Sequence, residues 1–354
     1  STQINNVFVY GDLTGNYGRI SSTTGSNDYT GTDADQIVVS QGAYYRGNAL
    51  ENYSNPYLVV GSGSGTTYVY NSTTLQFVDN ENNFLKIGKS NTISTNATTF
   101  GTLVGTSANT VVNISHSSAN LGLNVNYNGC KGSTARTVGG IAGSIKGELR
   151  NVVSKVDITV YDEQDIAISS LSVGGVAGSM LGRMENVYVN NRTINVGTSE
   201  HPFKTSSDVK TNAIYVGGLV GSADSYLANQ GEESSRVGSA SQIYANDMAI
   251  NVYAKGNSYV AGAIAISTFN ISKAEVKQSA DENGNAKRSI ALNCLSEMGT
   301  DDLYVLGGVV ATSSAQDIRN VYSNVSLQLT GANFNTAIIG GIAGYLTGKS
   351  SYTF

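Results

Sequence analysis

A short phrase built on a glycine doublet returns along this chain, and it limits the possible folds more than any other feature. Residues 138–160 read VGGIAGSIKGELRNVVSKVDITV, and residues 173–196 read VGGVAGSMLGRMENVYVNNRTINV. A third copy opens as VGGLVGS at Val216 and resumes after an insertion as QIYANDMAINV, residues 242–252. A fourth is degenerate, with VAGAIAIS from Val260 and then SIALNCL from Ser289 as its expected second half. A fifth spans residues 306–329, and a sixth, IGGIAGYLTG, begins at Ile339. FGTLVGTSANTVVNIS from Phe100 reads as a weaker copy, and residues 5–15 as the second half of another. The doublets are Gly139–Gly140, Gly174–Gly175, Gly217–Gly218, Gly307–Gly308 and Gly340–Gly341, with Ala261 in the first place of the degenerate copy. Their intervals of 35, 43, 44, 46 and 33 residues imply a regular stack with connections of variable length.

Within each copy the apolar pattern has a period of two. Val152, Ser154, Val156, Ile158 and Val160 alternate with Val153, Lys155, Asp157 and Thr159, as do Val321, Ser323, Val325, Leu327 and Leu329 with their neighbours. That is a strand with one buried face. The second and third copies are one residue longer, so a bulge or corner is expected at Asn190 and Asn246 to restore the inward face. The doublet opens a second strand, in which Ile141, Val176, Leu219, Val309 and Ile342 are expected to form one internal column. Val152, Val187, Ile243 and Val321 are expected to form another. The glycines permit a tight corner or a close backbone approach. Asn6, Asn151, Asn186 and Asn320 precede the second strand, where asparagine suits a left-handed corner and can bond to its counterpart in the next copy or serve as ordinary turn chemistry. One copy alone cannot bury its apolar face, but stacking about 4.8 Å apart can, and roughly nine coils would span about 40–45 Å. The expected fold is all-β, a parallel β-helix or solenoid over residues 100–354. Residues 1–99 form either an irregular β region or the amino-terminal part of the same stack.

Composition agrees. Only 13% of the 354 residues are charged, there are 41 Gly and 21 Tyr, and Trp is absent, which suits a large β structure better than a helical bundle. With 21 basic against 26 acidic residues and no basic run, no footprint for nucleic acid is present. No apolar stretch reaches the ~20 residues of a membrane-spanning helix, so no membrane insertion is expected in this segment. The absence of an initiating Met or visible signal peptide reads most simply as a mature or excised fragment of something larger.

The phrase at residues 138–160 resembles the GLUG-type repeat of large bacterial surface proteins, and the resemblance extends over roughly residues 100–348. Carriers of that repeat include adhesin-like proteins and the non-catalytic amino-terminal regions of Gram-positive immunoglobulin-A-cleaving metalloproteases. The resemblance implies a β-solenoid stalk or display region in an extracellular or cell-surface setting. It is informative for fold and poor for function.

Residues that could carry chemistry are few. His116 and His201 are the only histidines, HExxH is absent, and neither histidine sits in a nucleophile motif, so both read as loop residues. Acidic groups gather at Asp33 and Asp35, at Asp162, Glu163 and Asp165, and at Asp301 and Asp302. None recurs from copy to copy as a calcium-binding repeat would require. DENGN at residues 281–285 has its glycine misplaced for an EF-hand loop. Seven N-x-[ST] sequons, including Asn113, Asn191, Asn270 and Asn324, are what this composition yields by chance. Cys130 and Cys294 read as free small hydrophobes, with a long-range disulfide between them as the alternative. No cofactor, metal or catalytic residue is expected. Tyr188, Tyr244, Tyr253 and Tyr322 fall at outward or strand-end positions, as a binding surface or as stacking that shields the sheet. The expected role is non-catalytic adhesion or structural display, with the long segments 197–212 and 222–240 offered to a host or neighbouring-cell protein or glycan. The alternatives are a protease stalk, a head-to-tail filament binding other copies of itself, and, least favoured, a carbohydrate-active solenoid enzyme.

Overall fold

The computed structural model describes residues 2–16, 57–60, 66–71, 76–78, 99–127, 135–162, 167–205, 212–230, 233–297, 300–315, 317–331, 336–347 and 351–353. Every strand and turn among them is part of an all-β chain, with no helix and hence none long or apolar enough to cross a membrane.

Two parallel sheets organise the chain, and both follow the repeat. The smaller one takes the strand that leads into each doublet: Thr99–Gly101, Arg136–Gly139, Ser170–Gly174, Ala213–Gly217, Ser258–Ala261, Leu303–Gly307 and Thr336–Gly340. These pair in strict register, so that Phe100, Val138, Val173, Val216, Val260, Leu306 and Ile339 form one column. The larger sheet takes the parallel strands that follow each doublet. Ala142–Ser154 lies between Val104–Ser115 and Ala177–Asn190, and later tiers continue through Ser239–Asn246, Asn270–Lys277 and Asp317–Asn324. Thr2–Asn5 and Phe8–Asn16 pair with Val104–Ser115 and Ser118–Asn126, so the first residues belong to this sheet. Tyr57–Val60, Thr66–Asn71 and Gln76–Val78 make a separate three-stranded antiparallel sheet.

The doublet turns the chain from one sheet into the other while the backbone ladder continues across the turn. Ile141 N–H donates to Val176 O (2.8 Å), Val176 to Leu219 (2.8 Å), Leu219 to Ala263 (2.9 Å), Ala263 to Val309 (3.1 Å) and Val309 to Ile342 (2.8 Å). Ile141, Val176, Leu219 and Val309 are fully buried, and Ile342 is half-buried. The second column runs Val152, Val187, Ile243, Ala274 and Val321. Each such aliphatic side chain contributes about 1.5–3 kcal/mol by leaving water. At the second glycine of the pair an added side chain would run into the backbone of the next tier. A Cβ on Gly218 would be driven into the carbonyl oxygen of Gly262 one tier on, and Gly262 faces Gly308 in the same way.

Three features differ from the sequence reading. In the fourth copy the partner of Ser239–Asn246 is Asn270–Lys277, while Ile290–Cys294 pairs with Ala249–Lys255. SIALNCL therefore belongs to the later strand, and the intervening NISKAEVK escapes the pattern because, of its inward residues Ile271, Ala274 and Val276, the one in the column between Ile243 and Val321 is the small Ala274. The corner of the longer copies falls at Asn191 (φ 55°) and Asp247 (φ 50°), one residue beyond Asn190 and Asn246. Eight levels occur among the described residues rather than nine, spanning about 34 Å at the usual strand spacing.

Exposure rises at the last tier. Ile339 is 55% exposed where Leu306 is fully buried, and Leu327 and Leu329 are half-buried. The last tier pairs with Asp317–Arg319 and no further along that strand, so the residues after Arg319 lack a covering strand among those described.

Candidate functional site

The outward face of the larger sheet collects most of the polar and aromatic groups that could meet a partner. One feature sets its geometry. At the same register position in seven successive tiers the backbone adopts a left-handed conformation: Asn6 (φ 57°), His116 (48°), Asn151 (54°), Asn186 (56°), Gln242 (54°), Lys273 (55°) and Asn320 (54°). This residue breaks the in–out alternation, so that Glu185 and Asn186 precede the inward Val187 and the outward Tyr188. Asparagine visits this region at the lowest cost among side-chain-bearing residues.

The amides in this column bond to one another. Asn186 Nδ2 donates to Asn151 Oδ1 (2.6 Å), and Asn151 Nδ2 lies 2.9 Å from His116 Nε2. Asn186→Gly is expected to leave stability within about 0.5 kcal/mol of wild type, whereas Asn186→Ala is expected to lose about 1–2 kcal/mol, because alanine pays the left-handed strain that glycine avoids. Urea denaturation followed by circular dichroism distinguishes them, and equal losses would contradict a backbone origin.

Two positions further along, Tyr188, Tyr244, Glu275 and Tyr322 form an outward column. The Tyr188 and Tyr244 rings stack with centroids 4.5 Å apart and planes within 5°. That separation nearly equals the tier spacing, so the ring faces meet along the stacking direction and the edges and hydroxyls point outward. Partial burial, then the neighbouring Tyr244, raise the Tyr188 hydroxyl above its usual range. Tyr253 is half-buried beside Asn293 and is not in this column. Glu275 is held below the usual carboxylate range by its bond to Lys277 (2.9 Å), with Asn246 Nδ2 adding a second bond at 3.0 Å. Other charges on this face pair locally: Arg150 with Glu148 (2.8 Å) and Glu185 (3.1 Å), and Arg319 with Asp317 (3.3 Å). Exposed pairs like these add little stability.

The other candidates scatter. His116 is exposed in the left-handed column, and His201 is half-buried in a turn where its N–H donates to Thr198 Oγ1 (3.0 Å). Asp281 closes its own turn, accepting from the backbone of Asn285 (2.8 Å) and Asn283 (2.9 Å), which holds its carboxylate below the usual range. Asp301 is exposed, while Asp302 is buried against the Ser296 hydroxyl, which also meets the Tyr304 hydroxyl. Among the described residues no three His, Cys, Asp or Glu side chains are grouped to hold a metal ion. Cys294 is a buried free thiol, pushed up to about 12 by desolvation. Asp33, Asp35, Glu163, Asp165 and Cys130 lie outside the described residues. Segment 222–240 contains an antiparallel hairpin, Tyr226–Gln230 with Glu233–Val237, and Lys146 Nζ sits 5.0 Å from the Tyr226 ring centroid. In segment 197–212, Phe203–Thr205 extends the larger sheet.

One buried polar cluster escaped the sequence reading. Arg136 is fully buried, with its guanidinium 4.8 Å from the Tyr127 ring centroid and 3.8 Å from the buried Asp162. Tyr127 in turn meets Phe100 edge-on at 5.8 Å. Arg136 occupies the column of Leu171 and Ile214, and a charged residue at that aliphatic position was the available signal.

No protein-family model, no curated protein and no solved structure matches this chain.

Proposed function

We propose that the chain is a β-solenoid of GLUG-like repeats acting as a non-catalytic adhesion or display module at a cell surface or in the extracellular space. The observation that carries this reading is the unbroken register of glycine-cornered tiers on both sides of an inserted hairpin. Ala177–Asn190 pairs with Val220–Asp224 before the hairpin and with Ser239–Asn246 after it. A scaffold that holds its register while a segment leaves and returns suits presentation of that segment to a partner. The paired charges and tyrosine edges of the outward face favour a protein or an uncharged glycan over a polyanion.

The test is binding of the intact chain to protein and glycan arrays, repeated after residues 226–237 are replaced by a short glycine-containing turn. Binding is expected to fall at least tenfold with an unchanged β-sheet circular dichroism spectrum. Undiminished binding by the shortened chain removes the hairpin as the contact, and a chain that binds nothing on either array removes the adhesive reading.

A further inference from the structure

We propose that the amide ladder on the outward corner is a proton-reversible relay, in which charging His116 turns the side-chain amides of Asn151 and Asn186 end for end. Asn186 Nδ2 donates to Asn151 Oδ1, which leaves Asn151 Nδ2 facing His116 Nε2 at 2.9 Å. An amide nitrogen offers only hydrogens, so in this arrangement Nε2 accepts, which requires the tautomer with its proton on Nδ1. A proton added at Nε2 sets N–H against N–H. The contact is restored when the Asn151 amide turns by half a revolution, placing Oδ1 on the new donor and Nδ2 toward Asn186. Asn186 then turns for the same reason, so His116 donates to Asn151 and Asn151 to Asn186. The backbone need not move, because the corner is fixed separately: His116 N–H donates to Arg150 O at 3.1 Å.

Few charged groups face the imidazole. It is exposed, and the strand ends on the first-tier side bring Asn5 and Asn6, which carry no charge. On the other side stands Arg150, already paired with Glu148 and Glu185. Reversal would carry the sign of the proton across two tiers, about 9.6 Å, to a residue two places before Tyr188. At the open end of the ladder, beyond Asn186, a ligand would meet amide hydrogens where it had met a carbonyl oxygen. The relay does not depend on what the face binds.

The test uses the intact chain labelled with ¹⁵N at Asn and His, followed by two-dimensional NMR between about pH 5 and 8. The side-chain NH₂ signals of Asn151 and Asn186 are expected to shift with the midpoint of the His116 ring. In His116→Asn, which places at this corner the residue found at the same φ in neighbouring tiers, both signals are expected to stay fixed while the backbone spectrum is retained. In Asn151→Gly, Asn186 is expected to stop responding to pH. Amide signals that remain still as the wild-type ring titrates overturn the relay, as does an Asn186 response that survives in either variant.

Discussion

Gly218→Ala is expected to cost about 4 kcal/mol or more, while Gly341→Ala, at the same place in the repeat, is expected to change stability by no more than about 0.5 kcal/mol. The two glycines differ only in what lies beyond them. A methyl on Gly218 meets the backbone oxygen of Gly262, and backbone cannot move aside without breaking the ladder in which Gly218 N–H donates to Ala261 O at 3.1 Å. A methyl on Gly341 has nothing within 4 Å. Neither residue has a positive φ, so strain of the left-handed kind does not enter. Thr102 shows how the column can begin with a side chain: its hydroxyl donates to Gly140 O. Thermal and urea unfolding of both variants measure the difference, and equal stabilities would show that the tiers are not packed at backbone contact.

The second large effect is expected at Arg136. Truncation to alanine removes a fully buried guanidinium from the Tyr127 ring and leaves Asp162, 3% exposed, without its cation, at an expected cost of about 3–5 kcal/mol. Arg136→Met with Asp162→Leu is expected to be less destabilised than either single change, because the double variant buries no lone charge. A double-mutant cycle in urea gives the coupling directly. Additive losses would mean that the pair is not energetically linked.

The parts of this structure legible from sequence were those in which one residue type serves one backbone need in several tiers. Alternation marked the strands around Val152 and Val321, the doublets marked the turn between the sheets, and four asparagines marked the left-handed column. The same column was invisible at His116, Gln242 and Lys273, because those side chains do not announce a left-handed backbone. They adopt it because the tiers above and below impose it. Ala274 was lost for a related reason: a small residue fits an aliphatic column between Ile243 and Val321 without contributing to the apolar count. The pairing of Arg136 with Asp162 was illegible because it joins the start of one strand to the end of another, and only the turn through both sheets brings them together. The outward face was legible in part. Its tyrosines could be picked out, but whether the rings would lie flat or stack edge-out depends on a tier spacing that no alternation pattern records.

The hairpin between Asp224 and Ser239 has a consequence for how such a chain can change over generations. Its strands pair with each other, and the flanking strands keep the partners they would have had without it. Selection can therefore lengthen, shorten or rewrite that excursion while leaving the inter-tier contacts intact. The scaffold and its excursion are separable units of variation.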